Sequence, residues 1–349
     1  MFKPLFLITF LLLIFVRGLF IYQDQTNYTK PQNSNFDRQK LLEQLDTKAL
    51  YQIKIQEEGS VVSLLQLQGG GWREQSLDYD ADILPIQDLL LNLSQIRLGD
   101  LVTNNPDHHA RFQLLAPPEK LEEWNKDRHA NSITLLRGDG TLILSLLLGK
   151  ERIKGEGQYV RHTGSDKIYL IPEQLTVDSA VEDWLKKDLL ALESKQIASL
   201  KLENGKDISF SVSRESAETD WEPANENANL PDSERITKAL DRLSGLSFSK
   251  LLKKDFAPEE LEGSDNAEET LLVSLFDGRI FTLNLQKNDV SYENYILTMR
   301  MGILQGASES ANAEDSIIRQ EMDVFNKRVN GRFFEISSWV GKELLLSDQ

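Results

Sequence analysis

A chain of 349 residues has room for two domains of ordinary size, and 40% hydrophobic with 27% charged residues is a globular composition, not a disordered one. The formal net charge of −16 sets the protein against phosphate backbones and argues against a nucleic-acid partner. The absence of cysteine excludes disulfides, thiolate metal sites, cysteine nucleophiles and a lipid-modified N-terminal cysteine.

The chain opens with "MFKPLFLITFLLLIFVRGLFIYQDQ". Leu5 to Tyr22 are 18 residues with one charge, Arg17, close to the shortest length that crosses a bilayer as a helix. Arg17 lies near enough to the end of the span to snorkel into the headgroups. A cleaved signal peptide is the rival, since Leu5–Val16 is of signal-peptide length, but Val16-Arg17-Gly18 offers no small-residue cleavage site. The sequence therefore favours a retained transmembrane anchor over residues 1–22. With Lys3 inside, the bulk of the chain passes to the periplasmic or extracytoplasmic side of the inner membrane. Residues 23–46 begin with a polar run and read as a flexible tether.

Beyond the tether one pattern occurs twice. "TKALYQIKI" (Thr47–Ile55) matches "SKQIASLKL" (Ser194–Leu202) at an offset of 147, and each is followed by a second alternating stretch, "SVVSLLQL" and "DISFSV". Trp72 and Trp221 come next, at an offset of 149. Ile86, Leu90, Leu93 and Ile96 then recur as Ile236, Leu240, Leu243 and Leu246, a spacing that places each set on one buried helix face. Pro85 fits in the first helical turn, and Asp232 or Ser233 is the N-cap of the second helix.

A connection of variable length follows. Trp72 to Asp139 is 67 residues and Trp221 to Asp277 is 56, a difference expected where polar loops tolerate insertion. Each connection leads to a hairpin, "ITLLRGDGTLILSLLLGK" and "TLLVSLFDGRIFTLNLQK". Asp139-Gly140 and Asp277-Gly278 are there expected to supply the positive φ angles of a tight two-residue turn. "KIYLIPEQLTVDSAVEDWLKKDLL" closes the first copy and "RFFEISSWVGKELL" the second. An insertion over 302–332 precedes the latter, in which Ser316–Val329 has helical character.

The expected fold class is α+β: two tandem copies of an antiparallel sheet with a helix on one face, over 47–192 and 193–349.

No residue set names a reaction. "DYDAD" (Asp78, Asp80, Asp82) begins like a calcium loop, but Ile83 and Leu89 stand where Gly and a bidentate Glu are required, so a solvated loop before a helix is expected. His108, His109, His129 and His162 lack metal-ligand spacing. "SFSK" (Ser247–Lys250) with "SDN" (Ser264–Asn266) lacks the third penicillin-binding signature. The "RGD" of Arg137–Asp139 has "LFD" as its counterpart, and the "GEGQ" from Gly155 lacks a third glycine. Trp72, Trp124, Trp184, Trp221 and Trp339 could be ligand platforms, although Trp72 and Trp221 suit a core or lid role better. No catalytic residue, cofactor-binding residue or metal ligand is assigned, and no cofactor is expected.

The order of anchor, strand ending in "KI", Trp72, helix "IQDLLLNLSQIRL", hairpin and "YVRHTGSDKIYLI" resembles the bacterial domain-of-unknown-function family numbered 4340, over roughly Thr47–Leu192 and more loosely in the second copy. The resemblance implies an envelope protein, with some members associated with ABC-transporter and gliding-motility auxiliary components, and brings no catalytic residues with it. Together these readings give a membrane-anchored, non-enzymatic accessory or scaffold protein, with a protein partner in the same membrane of the ABC type. The alternative is an envelope enzyme or small-ligand or polymer receptor, with a site between the two repeats.

Overall fold

The computed structural model describes residues 40–41, 47–153, 155–205, 207–224, 231–252, 269–288, 294–304 and 313–346. The anchor expected at Leu5–Tyr22 lies outside the described residues, as does the tether except for Lys40 and Leu41. Among the described residues no helix is long and apolar enough to cross a membrane.

Alternating apolar residues build the first sheet. Strands β1 (Leu50–Glu57) and β2 (Ser60–Gln66) bury Ile53, Ile55, Val62 and Leu64 on one face. Strands β3 (Trp72–Glu74) and β4 (Tyr79–Ala81) extend it at one edge. Helix α1 (Ile83–Gln95) follows, and then β5 (Leu101–Thr103), β6 (Asn131–Arg137), β7 (Leu142–Glu151), β8 (Gln158–His162) and β9 (Ile168–Ile171). The order across this nine-stranded sheet is β4-β3-β2-β1-β6-β7-β8-β9-β5, and every pairing is antiparallel.

α1 begins where Asp82 accepts a hydrogen bond from the Leu84 amide at 3.0 Å, and Pro85 sits in its first turn as expected. Ile86, Leu89 and Leu93 are buried, with Leu90 half-buried. Leu89 thus takes the central position expected for Leu90. The helix covers the face formed by Ile53, Ile133, Leu146 and Val160.

The second sheet contains β11 (Ile197–Asn204), β12 (Asp207–Ser213) and β13 (Glu222–Pro223) before helix α2 (Ser233–Leu243). After the helix come β15 (Lys250–Leu251), β16 (Glu269–Leu275), β17 (Arg279–Asn288), β18 (Asn294–Ile303) and β19 (Phe334–Ile336). Its eight strands run β13-β12-β11-β16-β17-β18-β19-β15. A separate two-stranded ribbon joins β10 (Asp188–Leu190) to β14 (Leu246–Ser247). Asp232 is the N-cap of α2, accepting from the Glu234 amide at 3.1 Å, and Ile236, Ala239, Leu240 and Leu243 are buried.

The two hairpins share one turn geometry, and it differs from the two-residue turn expected. Only Gly140 and Gly278 take positive φ, +82° and +87°; neither aspartate does. The Gly140 amide bonds the Arg137 carbonyl and the Gly278 amide the Leu275 carbonyl, so a four-residue turn ends in a left-handed glycine. Asp139 and Asp277 accept instead from the amides of Thr141 and Arg279, at 2.9 and 3.1 Å.

The helix expected within the insertion forms as α3 (Ala313–Val329) and packs on β18. β19 pairs with β18 only over Tyr295–Leu297, which leaves the far end of that strand edge open. Asn326 covers it by accepting from the Met301 amide and donating to the Met301 carbonyl, both at 2.9 Å, as a neighbouring strand would. Helix α4 (Ser338–Leu344) then packs against α2, where Arg242 meets Glu343 at 2.7 Å.

The two sheets interlock at β4. Tyr79 leaves the core of its own sheet and enters the second, edge-on to Phe248 and Phe334 at 5.7 and 6.1 Å. Arg332 donates to the carbonyls of Leu77 and Asp78 and lies 5.5 Å over the Tyr79 ring. From the other side the Lys186 amide bonds the Asp80 carbonyl, and the Asp82 amide bonds that of Trp184.

The Tyr79 hydroxyl is buried and has no hydrogen-bond partner among the described residues. Burial pushes its pKa up from 10.0 to about 12. The unfolded chain therefore releases this proton first, and stability falls as pH rises from about 10 to about 12. Tyr79→Phe is expected to remove that alkaline slope in urea melts and to leave neutral-pH stability equal or higher, because no bond is lost. Tyr79→Ala is expected to cost about 3–5 kcal/mol through the cavity it leaves.

Candidate functional site

The residues singled out by their sequence patterns are dispersed, most of them into structural roles. The three aspartates of "DYDAD" form no cation loop: Asp78 and Asp80 bind Arg73 at 3.0 and 2.8 Å, and Asp82 caps α1. The stretch is solvated before the helix as expected, with Asp78 and Asp80 half-exposed in their pairs, but Tyr79–Ala81 is strand β4 instead of loop. His109 is buried with Nε2 at 3.2 Å from the Asp166 carbonyl, while His108 lies 3.5 Å from Thr103 Oγ1. Among the described residues no group of three His, Asp or Glu side chains is placed to hold a metal ion. Phe248 of "SFSK" is a core residue, and Ser264–Asn266 lie outside the described residues. Trp72 and Trp184 are buried and Trp221 half-buried under Arg214 at 4.6 Å; Trp339 lies exposed beneath Arg242 at 4.2 Å.

One site does emerge, and sequence reading missed it. The connection from β5 to β6, expected to be a tolerant polar loop, is folded onto the sheet face opposite α1. Leu114 and Ala130 pack there against Leu147 and Ile168. Arg161, buried on β8, holds the segment down by donating from Nε and Nη2 to the Leu114 carbonyl at 3.1 and 2.7 Å. A third donation, from Nη1, reaches the Ser165 carbonyl at 2.8 Å. Burial lowers the arginine pKa and Asp166 raises it, and the group remains charged at physiological pH. Gly149 of β7 permits the close approach, because a Cβ there would lie 2.8 Å from Leu114 Cγ and collide with the Phe112 carbonyl.

Where this segment overhangs the sheet, a cleft of about 510 Å³ opens between it and the ends of β1, β6 and β7. That volume is within the usual range for small-molecule sites, about 300–1,000 Å³. One wall is the segment itself, with Trp124 and His129 side by side at 6.1 Å between ring centroids. Asn125 donates its amide to His129 Nδ1 at 2.8 Å, so in the neutral ring the proton sits on Nε2. Gln158 forms part of the lining and is fully engaged: Nε2 donates to the Gly149 carbonyl at 3.1 Å and Oε1 accepts from the Leu175 amide at 3.0 Å. Lys126 and Lys150 are balanced by Glu57, Glu58 and Glu151. The receptor alternative expects a site between the two repeats; this cleft belongs to the first sheet alone.

The same order of Trp72, α1 and the β6–β7 hairpin is matched by a family model over residues 72–266, more than half of the chain. The chain belongs to the domain-of-unknown-function family DUF4340. The match begins at Trp72, later than the resemblance suggests, and continues beyond Leu192 through α2 to Asn266. It includes Trp124, His129, Gln158 and Arg161, and leaves out β1, α3 and α4. Neither the curated proteins nor the solved structures offer a match to this DUF4340 chain. Little in the sequence marks the cleft, since its residues come from five separate stretches with no common period.

Arg161→Met is expected to leave the Leu114 carbonyl buried without its two donors, at a cost of about 1.5–3 kcal/mol. The segment before β6 should then become the first site of limited proteolysis, with a red shift in Trp124 emission.

Proposed function

We propose that this DUF4340 protein is a membrane-tethered, non-enzymatic accessory or scaffold protein of the cell envelope, built from two copies of one α+β unit and serving an ABC-type transport assembly. The observation that carries the reading is the 18-residue apolar run Leu5–Tyr22 followed by a polar stretch up to Lys40, where the chain meets the first α+β unit. Lys40 bridges Arg97, and the Leu41 amide bonds the Ile96 carbonyl. The tether thus meets the folded part at the C-terminal end of α1. A polar chain of this length spans roughly 5–6 Å times the square root of its residue number, about 20–25 Å, which keeps the folded part within about 30 Å of the bilayer. Confinement at that distance raises the effective concentration toward a neighbour in the same membrane.

The duplication is supported by strand order. Reading from β3 to β5 across the first sheet and from β13 to β15 across the second meets the same succession of connections. The registers agree as well: Ile53↔Leu64 and Leu64↔Glu74 correspond to Leu200↔Val212 and Val212↔Pro223. On that alignment Trp72 and Trp221 occupy one position. Two similar sheets on one tether suit holding a partner complex better than turning over a substrate. The ABC-type neighbour rests on the family resemblance.

The test is release of the ectodomain, without residues 1–22, into the same compartment. Loss of transport or motility function, with the folded ectodomain present at normal level, is the expected outcome. Full function from the untethered form would contradict the tether, and hydrolysis of an envelope polymer by the purified protein would contradict the class. A C-terminal reporter active only in the cytoplasm should stay silent in the full chain.

A further inference from the structure

We propose that the cleft between the segment preceding β6 and the first sheet binds a saccharide of one or two rings. The inference stands apart from the tethering role and rests on the cleft's unfilled hydrogen-bonding groups. Ser132, on β6, lines the cleft, and its hydroxyl is open to the cleft with no hydrogen-bond partner among the described residues. A hydroxyl open to the cleft without a protein partner is free to bond a ligand in place of water. Trp124 is also in the lining, and its indole N–H has no hydrogen-bond partner among the described residues. His129 presents Nε2–H as a donor because Nδ1 is committed to Asn125.

The chemistry of the lining selects among ligand classes. Two lysines face three glutamates, so neither an anion such as a nucleotide nor a polycation finds a uniform field. The uncharged polar groups, among them Asn131 and Ser132, both donate and accept. That is the requirement of vicinal hydroxyls, each of which also does both. Trp124 is 8% exposed, so it offers the same wall a narrow apolar margin, enough to meet the C–H groups at the edge of a sugar ring. Gln158, locked at both ends, and Arg161, holding the wall to the sheet, fix this geometry before a ligand arrives, which lowers the ordering cost of binding.

The test uses the full chain in a sugar-free detergent, titrated with cellobiose and with N,N′-diacetylchitobiose. Saturation-transfer NMR and tryptophan emission are the readouts, and glucose 6-phosphate and a neutral tripeptide are controls. The expected result is saturable binding of at least one disaccharide, weakened about tenfold or more by Trp124→Ala and by Ser132→Val. Trp124→Phe, which keeps an aromatic wall, should retain part of the affinity and guards against a folding defect. Asn131→Leu provides a second check on the same surface. Absence of saturable binding by either disaccharide up to millimolar concentration would overturn the proposal. So would tighter binding of the phosphate or the tripeptide, or binding that all four substitutions leave unchanged.

Discussion

The placement of Tyr79 is the constraint on which the arrangement of the two sheets depends. β4 is an edge strand of three residues, too short to be held by its pairing with β3 alone. It is fixed because its tyrosine is a core residue of the neighbouring sheet and because Arg332 grips the preceding carbonyls. The left-handed backbone at Asp78, φ +50°, turns the chain so that Tyr79 points across the junction. Arg328, on the same side, donates to the Leu189 carbonyl at 2.9 Å and ties β10 into the contact. One strand thus serves two cores, and the sheets are not free to move as beads on a string.

Each sheet also needs cover beyond its first helix, and the two halves supply it with different segments. In the first, the long connection before β6 lies across the face opposite α1, held by Arg161 and admitted by Gly149. In the second, the amphipathic α3 arrives from the insertion before β19 and packs on the same core as α2, where Phe325 meets Phe281 edge-on at 5.4 Å. Asn326 completes the exposed hydrogen-bonding row of β18. Length differences between the halves, which look like tolerated loop variation in the sequence, therefore carry the coverings. The cleft follows from that difference, since the first covering overhangs the sheet end and leaves a polar gap beneath Trp124.

The electrostatics of the fold are local. Arg73 neutralises Asp78 and Asp80 within its own hairpin, and Arg279 joins Asp277 to Glu321 across the β17 turn and α3. Such half-exposed pairs contribute little each. Their positions matter more, because they fasten turn residues to the elements that follow. The large negative charge is carried elsewhere on the surface, where it favours solubility over self-association.

The sequence by itself determined the features that depend on neighbours along the chain. Alternation gave β1, β2, β11 and β12, the three-and-four spacing of Ile86 and Leu93 gave α1, and Asp232 marked the start of α2. These are short-range effects: side-chain period, capping and turn chemistry act within a few residues. Tertiary structure decided which alternating residue faces which core. Tyr79 reads as an ordinary strand residue but is buried against Phe248 and Phe334, more than 160 positions away. Nor do Arg161, Gly149 and Leu114 show any shared signal, although together they hold down the segment that forms one wall of the cleft. Contacts between distant stretches leave no period in a single sequence, so their pairing is set by the shape of the packed chain.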